Sequence, residues 1–180
     1  RYHNGKVIKP LVKAWNSLEK VAKDNGWWLV LIGYGDDNKL IKENEKDPIP
    51  RCKVLGPSFG ILKYSCYANA SAFILPSFFE ALPMAALEAM KYKLPTLLSK
   101  ACNLNEAFEK GASIVCDPEN DSLVKSIKKL INLSDNELNE MGLSGRDFVC
   151  DNYSSEKVAE NMIKFYSWIL FEGEKPNFII

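Results

Sequence analysis

Two glutamates lie eight positions apart in the stretch PSFFEALPMAALEAM, which spans residues 76–90. Glu80 precedes Pro83, and Glu88 lies in a run of small apolar residues that predicts a helix. Carboxylates are poor partners for phosphate, but they accept hydrogen bonds from hydroxyl groups well. The pattern therefore predicts recognition of hydroxyls on both sides of a helix start, as a sugar and a ribose joined by a diphosphate would require.

The helix start itself is predicted to bind the diphosphate. Pro83 suits the first position of a helix, because its missing N–H would be unsatisfied there in any case. The backbone N–H groups of Met84, Ala85 and Ala86 would then face an anion, and the two short alanine side chains would let it approach. Leu82 belongs to the same binding segment. Ordinary exposed surface is the competing explanation for both glutamates.

The start of the chain, RYHNGK, offers cations for the same diphosphate. Arg1 and Lys6 are expected in a loop ahead of the first helix, where a guanidinium and an ammonium could neutralise the leaving group. Two exposed charges at a chain end are the simpler explanation. The stretch lacks an initiator methionine, and we expect the chain to be a fragment.

The elements that must position these residues follow from the apolar pattern. The runs LVLI, CKVL, SAFILP, PTLLS and ASIVC predict strands, and segments of helical periodicity separate them. Strands that are apolar throughout and alternate with helices predict a parallel sheet covered on both faces. The expected fold is therefore α/β, a Rossmann-like parallel sheet with helices on both faces. Further helices follow at the C-terminus, capped by Ser134 with Glu137 and by Ser154.

In an open parallel sheet, ligands bind beyond the carboxyl ends of the strands. Gly33 and Gly35 follow the first predicted strand and permit a tight turn close to a ligand. Asn38 occupies the place of the third glycine in the dinucleotide fingerprint, so that fingerprint is incomplete. A Gly-Pro turn follows the second predicted strand. Turn geometry alone would also explain both loops.

Composition excludes several functions. The 180 residues carry 23 basic and 23 acidic side chains, so no basic field for nucleic acid exists. Five scattered cysteines without a C-x-x-C spacing favour reduced thiols in the cytoplasm over a zinc site. No apolar run reaches bilayer length, so no transmembrane segment is expected.

Six ordered segments carry a family resemblance: RYHNGK, LVLIGYGD, VLGPSFGILK, ILPSFFEALPMAALEAMKYKLPTLLS, GASIVCDPEND and NYSSEKVAENMIKFY. Together they resemble the C-terminal, donor-binding domain of the GT-B fold, retaining glycosyltransferases of family 4, especially bacterial enzymes of O-antigen and surface polysaccharide synthesis. The resemblance covers essentially the whole chain. It implies that residues 1–180 form one half of a two-domain enzyme, inactive without the N-terminal domain.

The resemblance also implies roles for single residues. Glu80 would contact the transferred sugar, and Glu88 would bind the ribose hydroxyls. Arg1 and Lys6 would bind the diphosphate and stabilise it as it leaves. The base pocket would be lined by Lys53, Val54 and Leu55, largely through their backbone. The residues implied near the donor sugar are Cys102, Asn103 and Leu104.

The implied donor is a nucleotide-diphosphate sugar, expected to be a UDP-hexose or UDP-N-acetylhexosamine, and the family generally binds it without a metal or other cofactor. The implied acceptor is a glycan or a lipid-linked molecule, met through the N-terminal domain, with peripheral association at the cytoplasmic face of the inner membrane. The sequence departs from the family at Ala81 and Lys93, where glycine is commoner. Ala81 leaves the identity of the sugar open.

Three other functions remain open at this point. A non-hydrolysing nucleotide-sugar epimerase shares the two-domain fold, but it would need more titratable groups than this half offers. A noncatalytic α/β module of receiver or flavodoxin type fits the sheet but not the combination of Arg1, Lys6, Glu80 and Glu88. A dinucleotide oxidoreductase is disfavoured by the incomplete glycine fingerprint.

Overall fold

The computed structural model describes residues 7–35 and 39–179. Helices separate the strands, as the sequence predicts, and a break at Leu18 divides the first helical segment into α1 and α2. The α-helices in this part of the chain are α1 (Ile8–Ser17), α2 (Glu19–Asp24), α3 (Lys39–Lys46), α4 (Gly60–Ala68), α5 (Met84–Lys91), α6 (Asn105–Glu109), α7 (Asn120–Ile131), α8 (Asp135–Tyr153) and α9 (Ser155–Ile169).

Every predicted strand is present, and all strand pairs are parallel. The strands form two sheets, of order β1-β2 and β3-β4-β5, where a single sheet was expected. Within the described residues, β1 pairs only with β2, and β3 pairs only with β4. No hydrogen-bonded strand pairing therefore links the two sheets in this part of the chain. The α/β fold with parallel strands and flanking helices is confirmed. The strands are β1 (Leu29–Ile32), β2 (Cys52–Leu55), β3 (Phe73–Leu75), β4 (Thr96–Ser99) and β5 (Ser113–Cys116).

One hydrophobic core joins the two sheets. Leu31 of β1 and Leu97 of β4 belong to the same buried cluster, together with Leu11 of α1. On α7, Leu123 and Ile127 are buried in this cluster one turn apart, which is the spacing of an amphipathic helix. The sheets therefore share one core even though no strand pairing connects them.

A second core fixes α5 against the three-stranded sheet. Leu87 and Met90 of α5 pack with Leu98 of β4 and Phe148 of α8. This helix also carries Glu88, so the second core determines where that carboxylate lies.

The two sheets differ in how well they are covered. All four residues of β4 are buried, as expected of a strand with helices on both faces. Burial alternates along β1, where Val30 is 47% exposed and Ile32 is also exposed. Within the described residues, β4 is therefore covered on both faces, whereas β1 leaves the side chains of Val30 and Ile32 exposed.

The C-terminal helices begin where the sequence predicts. Ser134 and Glu137 form a capping box at the start of α8, and the Ser154 hydroxyl accepts a hydrogen bond from the Lys157 N–H at the start of α9. Among the described helices, none combines the length and apolarity needed to cross a membrane.

Candidate functional site

The predicted ligand-binding loops follow the carboxyl ends of the strands. Gly33 and Gly35 come directly after β1, and the Gly33 N–H donates to the carbonyl of Leu55 at 3.4 Å, which continues the pairing of β1 with β2. On the other sheet, Glu80 lies in the loop after β3, and Asn103 lies just beyond β4. The structure thus distributes the predicted site residues over two sheets.

Glu80 is anchored to the segment after β4. Its backbone N–H donates to the carbonyl of Ala101 at 3.0 Å, and its carbonyl accepts a hydrogen bond of 2.8 Å from the Asn103 side-chain amide. The Glu80 carboxylate accepts a 2.8 Å hydrogen bond from the Ser77 hydroxyl. Asn103 adopts a left-handed backbone conformation with φ 56°, which asparagine tolerates better than most residues. The loops after β3 and β4 are therefore held together at Glu80.

Two buried polar side chains connect the segments that these loops join, by hydrogen bonds from the end of β4 and the residues after it to the end of β3 and the residues after it. The Ser99 hydroxyl donates to the carbonyl of Ser77, and the thiol of Cys102 donates to the carbonyl of Leu75 at 3.6 Å. Burial raises the pKa of the Cys102 thiol, so the group stays protonated. Of the three residues predicted near a donor sugar, the side chains of Cys102 and Leu104 are buried and that of Asn103 is exposed.

The start of α5 offers fewer free N–H groups than the sequence predicts. Pro83 has ψ 75° and lies just outside the helix, which begins at Met84. The Met84 N–H donates to the carbonyl of Leu82 at 2.9 Å, and the Ala86 N–H donates to the carbonyl of Pro83 at 2.8 Å. Among the described residues, only the Ala85 N–H of this group has no acceptor. The prediction of three free N–H groups is therefore wrong for two of them.

The side chains of residues 82–86 also differ in their exposure to solvent. Leu82 and Met84 are exposed, and Ala85 is half-buried. Ala86 is fully buried in the second core, so its small side chain serves the packing of α5 against the sheet. A ligand at the helix start would meet the Ala85 N–H and the side chains on either side of it.

Glu88 lies between two side chains of α4. The Lys63 ammonium donates to Glu88 Oε1 at 2.7 Å, and the Tyr67 hydroxyl donates to Glu88 Oε2 at 3.1 Å. The Lys63 and Glu88 side chains are each 31% exposed. The hydrogen bond to Glu88 raises the pKa of Lys63, and burial raises the pKa of Tyr67. At neutral pH both groups are therefore protonated donors to the carboxylate.

Sequence reasoning missed Lys63 and Tyr67. Their four-residue spacing places them on one face of a helix, and this was the only signal available. Which carboxylate that face meets depends on how α4 packs near α5. The structure supplies this contact, and the sequence does not.

The residues implied at the base pocket form β2. Lys53 and Leu55 are exposed, and Val54 is half-buried. The Lys53 ammonium lies 5.6 Å from the ring centroid of Trp28, within the range of a cation–π contact. Arg1 and Lys6 lie outside the described residues.

A cavity of about 740 Å³ is lined by residues of β5, α7 and α8, among them Lys125, Lys129, Glu137 and Glu140. Of the predicted site residues that the structure describes, none lines it. The predicted carboxylates lie elsewhere, Glu80 in the loop after β3 and Glu88 on α5 beside the Lys63 ammonium. In the described part of the chain, no group of three His, Cys, Asp or Glu side chains could hold a metal ion.

Comparison with known proteins identifies the family. The sequence model described as "Glycosyl transferases group 1" matches residues 1–148. An uncharacterized glycosyltransferase of Haemophilus influenzae is 30% identical over 164 residues, which cover 83% of this chain and 42% of the relative. The chain thus spans less than half the length of that curated relative.

Solved structures agree on the fold. Sucrose-phosphate synthase from Thermosynechococcus elongatus is similar with a TM-score of 0.77 at 20% identity, over 95% of this chain and 44% of that one. WaaG, a glycosyltransferase involved in lipopolysaccharide biosynthesis, is similar with a TM-score of 0.69 at 19% identity, over 88% of this chain and 44% of that one. The parallel α/β architecture is that of GT-B glycosyltransferases. With the family model matching most of its length, the chain belongs to the group 1 glycosyltransferases.

Proposed function

We propose that the chain is the donor-binding domain of a retaining, family 4 glycosyltransferase, and that it forms one half of a two-domain enzyme. The observation that carries this proposal is the anchoring of Glu80. Hydrogen bonds to Ala101 and Asn103 hold it where the carboxyl ends of two parallel strands meet, which is where ligands of such sheets bind. A carboxylate held there suits a sugar hydroxyl.

In the proposed reaction, the donor is a nucleotide sugar whose diphosphate lies at the start of α5. The Ala85 N–H and the positive end of the helix dipole favour the anion there. Arg1 and Lys6 neutralise the negative charge that develops on the diphosphate as the bond to the sugar breaks. Glu80 orients the sugar, and Glu88 binds the ribose. No metal ion is required in this scheme.

The proposed donor is a UDP-linked hexose or N-acetylhexosamine, and the proposed acceptor is a glycan or a lipid-linked molecule. The acceptor would be bound by the N-terminal domain, so residues 1–180 alone would bind donor without turning it over. The proposed role is bacterial surface polysaccharide synthesis, O-antigen included, at the cytoplasmic face of the inner membrane. WaaG, which is similar in fold, is described as involved in lipopolysaccharide biosynthesis.

Calorimetric titration of the chain with UDP, GDP and ADP tests this proposal. We expect one nucleotide to bind, and we expect Glu88→Gln and Lys6→Ala each to weaken it about tenfold, the loss of one charge-assisted hydrogen bond. Glu109→Gln is the matched control, because Glu109 is exposed and lies outside the site. The absence of binding to all three nucleotides at millimolar concentration would refute the proposal.

A further inference from the structure

The contacts of Glu88 with α4 orient its carboxylate as an acceptor of hydrogen bonds from hydroxyl groups. Lys63 and Tyr67 lie four residues apart on α4, and each donates to a different oxygen of the Glu88 carboxylate. One donor per oxygen fixes the plane of the carboxylate, because a rotation would lengthen at least one of the two bonds. The carboxylate is thus oriented before any ligand arrives.

This arrangement leaves acceptor capacity for a ligand. A carboxylate offers about four acceptor sites, and Lys63 and Tyr67 occupy two of them. The Glu88 side chain remains 31% exposed, so solvent or a ligand can reach the rest. Two neighbouring hydroxyls, as in the 2′,3′-diol of a ribose, match two free sites on the two oxygens of one carboxylate.

The surrounding side chains hold both donors in place. The ring of Tyr67 lies 5.8 Å from that of Tyr92 and 6.1 Å from that of Phe73, between centroids. The Lys63 ammonium lies 4.9 Å from the ring centroid of Tyr64. Tyr67 is therefore packed between aromatic neighbours, and Lys63 has a second favourable contact that keeps it near Glu88.

We propose that Lys63 and Tyr67 are positioning residues, which hold the Glu88 carboxylate for the vicinal diol of a ribonucleotide and so determine discrimination against deoxyribonucleotides. The inference rests on the proposed function, because it takes a nucleotide as the ligand. It assigns Lys63 a role in presenting Glu88 to the ribose. A direct contact between Lys63 and phosphate would compete with the ion pair to Glu88.

The test compares ribose with deoxyribose on matched variants. Whichever of UDP, GDP and ADP binds the wild type is titrated together with its 2′-deoxy and 3′-deoxy counterparts. We expect Lys63→Met to weaken binding of the ribonucleotide about fivefold, a half-exposed ion pair being of modest strength. Binding of the 2′-deoxy and 3′-deoxy counterparts should weaken less. The ratio of the ribonucleotide affinity to the deoxyribonucleotide affinity should therefore fall. Lys63→Arg should restore part of the ratio, and Tyr67→Phe should lower it to a smaller extent.

Lys91→Met is the charge-matched control, since Lys91 is exposed on α5 and has no place in the site. Circular dichroism of each variant verifies that it is folded. Equal losses for ribo- and deoxyribonucleotides would overturn the inference and would point to a phosphate contact by Lys63. An unchanged affinity of Lys63→Met would overturn it as well. If the wild type binds no nucleotide, the proposed function itself fails, and this result is distinct from a failure at Lys63.

Discussion

Gly142 of α8 packs so closely against the backbone that no room remains for a side chain. A Cβ atom at Gly142 would overlap the carbonyl oxygen of Lys93 and lie 2.9 Å from its carbonyl carbon. Both are backbone atoms of the turn that connects α5 to β4, so no side-chain rotation can relieve the overlap. Gly142→Ala therefore requires that α8 move away from α5 or that the turn deform.

The size of the effect follows from two opposing contributions. Overpacking of a tight contact costs about 1–3 kcal/mol, and we expect the upper end because the obstruction is backbone. The higher helix propensity of alanine relative to glycine stabilises α8 by about 1 kcal/mol. The net loss of unfolding free energy is therefore about 2 kcal/mol, which corresponds to a fall in Tm of about 4–8 °C for a chain of this length.

Gly145→Ala, one turn further along α8, is the matched control. A Cβ atom there would lie 3.2 Å from Cγ of Met90 and 3.8 Å from the carbonyl oxygen of Ala112. Met90 is a flexible side chain that can adjust, so we expect a change within about 1 kcal/mol of zero. Urea unfolding followed by far-ultraviolet circular dichroism measures both variants. A Gly142→Ala variant at least as stable as the wild type would refute the packing explanation.

Three further predictions concern the same fold. Lys93 adopts φ 58°, so Lys93→Gly should relieve left-handed strain and raise the unfolding free energy by about 0.5–1 kcal/mol; a loss of stability would contradict this. In iodoacetamide labelling followed by mass spectrometry, the exposed Cys150 should react in the native protein and the buried Cys102 should not. Rapid labelling of Cys102 in the native protein would contradict its burial. Burial raises the pKa of Cys52 from 9.0 to about 11 and that of Cys116 to about 12. Because the native state holds these protons more tightly than the unfolded state, the contribution of these two thiols to stability should be constant below pH 9 and fall as the pH rises from there towards 12, as urea unfolding at a series of pH values would show.

The elements that depend on local pattern could be predicted from the sequence. The segment PTLLS has no charged residue and two central leucines, and residues 96–99 of it form β4, in which all four side chains are buried. Ser134 and Glu137 have the spacing of a capping box and form one. In these cases the residues that determine the structure are neighbours in the chain, so the sequence contains the whole cause.

Features that depend on distant contacts could not be predicted in the same way. Nothing in the sequence near Cys102 indicates that its thiol meets the carbonyl of Leu75, 27 residues earlier. The contact of Lys63 with Glu88 joins two helices separated by β3, and helical spacing alone does not specify the partner. One local feature also departs from the prediction: Pro83 lies one position outside the helix, because the Met84 N–H bonds to the carbonyl of Leu82 in a turn that competes with the helical conformation.

The two glutamates are positioned by different means, and this has a consequence for ligand binding. Glu80 is held through its backbone by residues next to a fully buried strand, so its position is determined by the core. The Glu88 carboxylate is held by side chains of α4, a helix in which no residue is buried. Elements with few buried contacts open at the lowest free energy. A ligand that hydrogen-bonds to Glu88 in its held orientation favours the docked position of α4, so part of the binding free energy is used to stabilise that helix. Affinity at Glu88 therefore depends on the docking of α4, whereas the placement of Glu80 does not.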